Sequence, residues 1–347
     1  MIEKYLKGEE KIILSLRSLY SKYGYLPYKM NKFEEYDLYV RNKSFLLSDH
    51  IITFTDTNGK LMALKPDVTL SIVKNAPETP GTVRKVHYRE NVYRQDRDAG
   101  NFREILQAGI ECVGDVGAYE VAEVVYLAAK SLEAIGGGTI LSLSHVGLIR
   151  WALEKSGLPE ASRKQALDCL GQKREQELRS LCAGQGADAA PLLALLRARN
   201  IGELEPLADC GALRELREIT ALLDEQQVRL DFSLGNDMKY YSGLVFKGYV
   251  RGVPASVLSG GQYDRLLSHM GKKARAIGFA VYLDRLPEED DGWDVDTLLL
   301  TGDASPAVIL AAAERLPGTV LAMKTEPAEQ VWKRKAILEN GEVRWLD

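Results

Sequence analysis

Two apolar-rich runs, residues 83–93 and 105–113, flank the polar segment QDRDAGNFRE, and no other feature constrains the fold of this chain as much. Each run has the length and the β-branched and aromatic content of a strand. A charged connection of this kind suits a mobile loop between antiparallel neighbours, because its polar backbone stays in water. Upstream, IITFTDT and KLMALK surround Asn58-Gly59, a dipeptide that favours the tight turn of a hairpin. Pro66 and Asp67 then stand where a helix can start, and residues 68–75 continue with helical periodicity. An antiparallel sheet therefore belongs at the centre of the fold.

Helices flank it. Residues 9–23 place Ile12, Ile13, Leu16, Leu19 and Tyr20 at helical spacing before Gly24, and residues 118–136 form a longer amphipathic helix closed by three glycines. Residues 25–33 read as extended, with a short helical piece at 34–40. A strand at 139–144 and a helix at 146–156 come next. Between 158 and 225 Ala, Leu, Arg and Glu dominate, which predicts a small all-helical insertion. Strands are predicted again at 228–234, 240–250 and 255–258, followed by a helix at 261–270. Residues 288–294, EEDDGWD, make an acidic linker. The last 53 or so residues alternate strand and helix and end in a hairpin at Asn340-Gly341. The fold class is α+β. The expected organisation is a core from 1–157 and 226–290, an insertion at 158–225 and a small α/β appendage at 295–347.

A chain of 347 residues suggests two or three domains. Its net charge of −4 offers no global basic field for a polyanion, which argues against tRNA as a partner. Cys112, Cys169, Cys182 and Cys210 have no C-x-x-C spacing and no histidine cluster beside them, so reduced thiols are expected, with no metal and no cofactor. The first twenty residues are charged throughout, unlike a signal peptide, and no apolar run approaches the roughly 18 residues of a membrane span. The expected location is the cytoplasm.

Five segments carry more than fold: KPDVT (65–69), YRQDRDAGNFREILQAGIECVG (93–114), NDMKYYSGLVF (236–246), SGGQYDRLL (259–267) and AIGFAVYLDRL (276–286). In order and spacing they resemble the histidyl branch of class II aminoacyl-tRNA synthetases. That family reads R-P-E-G-T after a hairpin, F-R-x-E-R with a loop ending in Q-x-G-x-E, then R-G-L-D-Y-Y-T, G-G-R-Y-D and G-F-A-x-G-x-E-R. The resemblance covers roughly residues 1–290, and five motifs in sequence make it specific. It implies a class II synthetase-like antiparallel sheet flanked by helices, and a self-dimer pairing through the region 9–45. It also implies a pocket for free histidine. Asp67, Thr69, Gln107 and Glu111 would accept from the amino group, and Tyr241 and Tyr263 would read the imidazole. Spacing alone says less: Gln107 and Glu111, four apart, share one face of a strand, which is equally the pattern of a solvated face. Tyr241 could simply pack a sheet.

Departures from the family pattern point away from aminoacylation. Asn236 stands where the family has the arginine that faces the histidine carboxylate, and Lys239 replaces an aspartate. Ile105 replaces the aromatic on which adenine would stack, an interaction worth about 1–3 kcal/mol. Arg94 and Arg285 keep the positions of phosphate-facing arginines, as a vestigial anion site or as structural ion-pair partners. The appendage is shorter than the anticodon-binding domain of such synthetases and is not basic. Residues 142–157, SLSHVGLIRWALEKSG, and 103–114, REILQAGIECVG, resemble the regulatory subunit of ATP phosphoribosyltransferase, a synthetase paralogue. His145 serves there as a family marker, with a local role near a helix start.

That resemblance implies a non-catalytic subunit completing a hetero-oligomer with the short-form catalytic subunit, and carrying histidine feedback to the first step of histidine biosynthesis. No phosphoribosyl-pyrophosphate loop is present, and TLLLTGDAS is better read as a strand end. Two alternatives stay open: a paralogue that binds another amino acid or amine as a regulator, and a divergent histidyl-tRNA synthetase.

Overall fold

The two long apolar-rich runs pair along their whole length and anchor an eight-stranded sheet. The structure is a computed structural model and describes residues 6, 8–46, 51–95, 100–205, 207, 209–237, 240–286 and 292–346. The chain divides into two units, Leu14–Leu286 and Pro287–Asp347 with Met1–Ile13. Helix α1 spans Gly8–Lys22. There follow strands β1 (Leu26–Pro27) and β2 (Phe33–Glu35), helix α2 (Tyr36–Arg41), strands β3 (Thr53–Thr55) and β4 (Leu61–Leu64), and helix α3 (Thr69–Val73). The long strands are β5 (Val83–Gln95) and β6 (Phe102–Gly114). Helix α4 (Ala118–Ile135), strand β7 (Thr139–His145) and helix α5 (Val146–Lys155) come next. Helices α6 (Glu160–Gly171), α7 (Glu175–Gly184), α8 (Ala190–Arg197) and α9 (Gly211–Thr220) occupy the helical stretch. Strands β8 (Val228–Leu230), β9 (Leu244–Val250) and β10 (Leu258–Gln262), helix α10 (Asp264–His269) and strand β11 (Arg275–Tyr282) complete the unit.

The large sheet runs β1-β5-β6-β11-β10-β9-β7-β8 and is antiparallel except at its two edge pairs. Strands β2, β4 and β3 form a separate antiparallel sheet. Alternation along each strand gives the large sheet two different faces. One face is apolar and helix-covered. Phe279 of β11 meets Phe246 of β9 at 6.2 Å and Tyr20 of α1 at 6.0 Å between ring centroids, both edge-on. The Tyr20 hydroxyl pairs with Ser131 of α4 at 3.0 Å. Ile110, Cys112, Phe246 and Val281 are fully buried, each large apolar side chain contributing about 1.5–3 kcal/mol. The opposite face carries Gln107, Glu111, Ser259 and Lys247.

The segment 255–282 differs from what periodicity predicts. Strand β10 covers 258–262 rather than 255–258, α10 begins at Asp264 rather than Gly261, and β11 fills a stretch with no predicted strand. Glycines inside a strand weaken its sequence signal, yet these are required. A Cβ on Gly260 would lie 2.4 Å from the Gly278 carbonyl oxygen, and one on Gly261 2.5 Å from that of Leu244. The predicted strand at 228–234 stops at Leu230 and gives way to a 3-10 turn, Phe232–Asp237.

In the second unit, strand β12 (Val295–Leu300), helix α11 (Pro306–Arg315) and strands β13 (Val320–Met323), β14 (Trp332–Glu339) and β15 (Glu342–Trp345) form a sheet ordered β13-β12-β14-β15. Its core is Leu299, Ala312, Ala336 and Leu338. Asn340 and Gly341, at φ 50° and 82°, turn the final hairpin.

His145 has the local role expected of it. Its Nδ1 accepts the Gly147 N–H at 3.0 Å and caps α5, so Nε2 carries the proton and donates to Glu215 of α9 at 3.2 Å. That bond holds the Glu215 carboxyl below its usual range. His145→Ala should lower stability by about 1–2 kcal/mol, read as a lower urea midpoint. His145→Asn, which caps but is too short for Glu215, should recover part of the loss.

Candidate functional site

The open face of the large sheet holds a cavity of about 420 Å³, within the ~300–1,000 Å³ of small-molecule sites. Strand register builds it. Gly261, Gly278 and Glu111 lie opposite one another across β10, β11 and β6. A Cβ on Gly278 would fall 1.8 Å from the Glu111 Oε2, and one on Gly261 would fall 2.7 Å from the Tyr241 ring. The two glycines therefore let the Glu111 carboxyl lie across β11 and the Tyr241 ring lie over β10. Ser259 and Ala280, paired one row further along, keep the floor low.

Glu111 is 2% exposed. Thr69 Oγ1, from the start of α3, donates to its Oε1 at 2.9 Å, and the Tyr263 hydroxyl donates to its Oε2. Burial pushes this carboxyl up to about 8, against the two donors, which pull it down. Asp67 sits just before α3, and its Oδ1 accepts the Leu70 N–H at 3.0 Å. Burial raises the Asp67 carboxyl, and the Arg94 guanidinium, 3.7 Å from Oδ2, opposes that. Arg94 also donates to the Pro66 carbonyl at 2.7 Å. Arg285 donates to the Ser256 carbonyl at 2.6 Å and lies 4.1 Å above the Tyr282 ring. Gln107 is buried, and its Nε2 has no hydrogen-bond acceptor among the described residues.

All eight residues singled out from the sequence line this one cavity: Asp67, Thr69, Arg94, Gln107, Glu111, Tyr241, Tyr263 and Arg285. The geometry changes one expected division of labour, because Tyr263 and Glu111 are bonded to each other rather than serving separate parts of a ligand. Tyr240 joins them in an aromatic wall, 4.8 Å from Tyr241 and 5.9 Å from Tyr263 between ring centroids. The sequence reading passed over Tyr240, although the doubled tyrosine was a visible signal. It also passed over Gly278 and Lys247. Lys247 has no signal, being one charge in an otherwise apolar strand. Ile105 packs against the neighbouring apolar cluster. Lys239 and the side chain of Asn236 lie outside the described residues, as do residues 96–99 of the expected loop and 288–291 of the acidic linker. Among the described residues no cluster of three or more His, Cys, Asp or Glu could hold a metal ion.

The arrangement suits a small polar molecule that bears a cation and an acceptor and lies against aromatic rings. A family model described as histidyl-tRNA synthetase matches residues 2–286. The chain belongs to that family. It is 31% identical over 293 residues to an ATP phosphoribosyltransferase regulatory subunit of Anaeromyxobacter dehalogenans, covering 78% of this chain and 83% of the relative. It is 28% identical over 343 residues to the protein of the same name from Bacillus subtilis, covering 91% and 87%. The crystal structure of an ATP phosphoribosyltransferase regulatory subunit/histidyl-tRNA synthetase from Bacillus halodurans has the same fold, with a TM-score of 0.74 at 22% identity over 95% of this chain and 93% of that one. Within the family, the chain sits with the regulatory subunits.

Glu111 links the site to pH. Its folded-state pKa lies above the ordinary 4.5, so the folded protein holds this proton more tightly than the unfolded chain does. The resulting stability is complete below about pH 4.5 and is lost as pH rises through about 8. Glu111→Gln has no charge to bury. Its urea midpoint should fall less than that of the wild type between pH 6 and pH 9, and equal slopes would place the titration elsewhere.

Proposed function

We propose that this chain is the non-catalytic regulatory subunit of ATP phosphoribosyltransferase, and that its cavity is a histidine site through which feedback reaches the first step of histidine biosynthesis. Kinship with regulatory subunits over most of the chain carries the first part. The phosphoribosyl transfer belongs to a short catalytic partner. The cavity supports the second part: Glu111, Thr69 and Asp67 offer acceptors to a cationic amine, and Tyr240, Tyr241 and Tyr263 offer faces and edges to a ring. The setting we read is the cytoplasm, in keeping with its biosynthetic relatives. Among the described residues no helix is long and apolar enough to cross a membrane.

Self-pairing has support as well. Phe33 and Phe54 meet edge-on at 5.5 Å on the small sheet, and both, with Leu61, stay exposed. Solvent-facing aromatic and aliphatic side chains grouped like this mark interaction surfaces. We read helices α6–α9 as an insertion into the core and residues 295–347 as a reduced appendage without a tRNA platform.

Mixed with a short-form phosphoribosyltransferase at micromolar concentration, the chain should co-elute in gel filtration and raise the partner's activity. Separate elution with unchanged activity would overturn the assignment. Histidine-dependent ATP–pyrophosphate exchange should stay at the no-enzyme level.

Histidine should bind weakly, since Asn236 stands where an arginine would meet the carboxylate. In calorimetric titrations Glu111→Ala should abolish binding. Asn236→Arg should strengthen it roughly ten- to hundredfold, the worth of a charge-assisted hydrogen bond. A cation beside Glu111 favours its ionised form, so binding near pH 7 should release a proton, seen as a heat that depends on the buffer. Binding indifferent to Glu111→Ala would place the ligand elsewhere.

A further inference from the structure

We propose that Lys247 forms an oxyanion subsite for the carboxylate of the bound amino acid, so that the cavity selects the zwitterion over the corresponding amine. This rests on the histidine-site reading above and adds a cation that would face the carboxylate, separate from any arginine at position 236.

Placement is the first argument. Lys247 of β9 pairs with Ser259 of β10, which pairs with Ala280 of β11, so all three share the open face and all line the cavity. This row lies two residues along β11 and β10 from the row holding Glu111, roughly 7 Å at strand spacing. Ser259 and Ala280 are small, so the space between the lysine and the Glu111 end is open. An amino acid with a ring side chain can span it.

Charge is the second. The cavity is lined by the cations Arg94, Lys247 and Arg285 and the acids Asp67 and Glu111. Arg94 faces Asp67 and holds the Pro66 carbonyl. Arg285 holds the Ser256 carbonyl and stacks on Tyr282. The Lys247 side chain makes no ion pair or hydrogen bond among the described residues. A half-buried ammonium with three donors and no acceptor suits an incoming anion.

An orphan donor is the third. Gln107 is 2% exposed, lines the same cavity and leaves Nε2 without an acceptor among the described residues. Buried donors are nearly always satisfied, so the wall calls for an acceptor from the ligand. Gln107 lies on β6 four residues from Glu111, on the side toward which the Lys247 row is displaced. The Gln107 and Lys247 donors therefore lie to the same side of Glu111.

The test titrates histidine, histamine (the same ring and amine without the carboxylate) and inorganic phosphate into the full-length chain by calorimetry. The chains compared are wild type, Lys247→Met, Lys247→Arg and Glu111→Ala. Lys247→Met should weaken histidine about ten- to hundredfold and leave histamine within about twofold, with Lys247→Arg retaining most of the preference. If Lys247→Met changes neither compound, or weakens both equally, the subsite is overturned. Loss of histidine binding in Glu111→Ala would then show that the pocket reading still holds. Phosphate binding that depends on Lys247, with histidine indifferent to it, would assign the lysine to a phosphate and overturn the proposal. A wild type that binds neither amine overturns both readings together.

Discussion

The two hydrogen bonds donated to Glu111 join three segments that the apolar cluster around α3 and α10 also packs together. Thr69 arrives from the first turn of α3, 42 residues away, and Tyr263 from the junction of β10 and α10, 152 residues away. Between them the carboxyl lies over Gly278, where any side chain would collide with it. An ionised carboxylate buried without donors costs several kcal/mol in practice, and leaving one buried donor unpaired costs about 1–3 kcal/mol. The geometry of the cavity is thus tied to the packing of the sheet itself. Moving Glu111 would leave a hydroxyl on each side without its acceptor.

The same reasoning separates the two arginines. A guanidinium facing an empty cavity reads as a site for phosphate. Here each also donates to a backbone carbonyl, Arg94 to Pro66 and Arg285 to Ser256. Arg94 further steadies the turn that presents Asp67 to α3. These contacts shape the walls in their own right, which gives both residues structural work.

Much of the fold was legible because hydrophobic spacing and turn chemistry are local. The β5–β6 ribbon, the β3–β4 hairpin, α1, α4, α5 and the hairpin at Asn340-Gly341 all follow from residues within a few positions of each other. Strand β10 was legible only in a displaced position, and β11 was not legible as a strand. Gly260, Gly261 and Gly278 lower their apparent strand character, and the reason for those glycines is contact with residues remote in sequence. The site was legible through the order of its motifs, which brought eight lining residues onto the page. Spacing alone marked only the shared face of Gln107 and Glu111. The bond between Tyr263 and Glu111, the place of Tyr240 in the wall and the open position of Lys247 needed the strand register, which no single segment encodes.

The glycine floor has a consequence for how such a chain changes over time. The hollow in the sheet is a property of main-chain positions, so it persists while the residues around its rim are exchanged. Reactivity, by contrast, depends on individual side chains, and each can be replaced without refolding the sheet. Recognition and reaction can therefore be inherited separately. A molecule that an ancestral site consumed can remain in a descendant's hollow as a message.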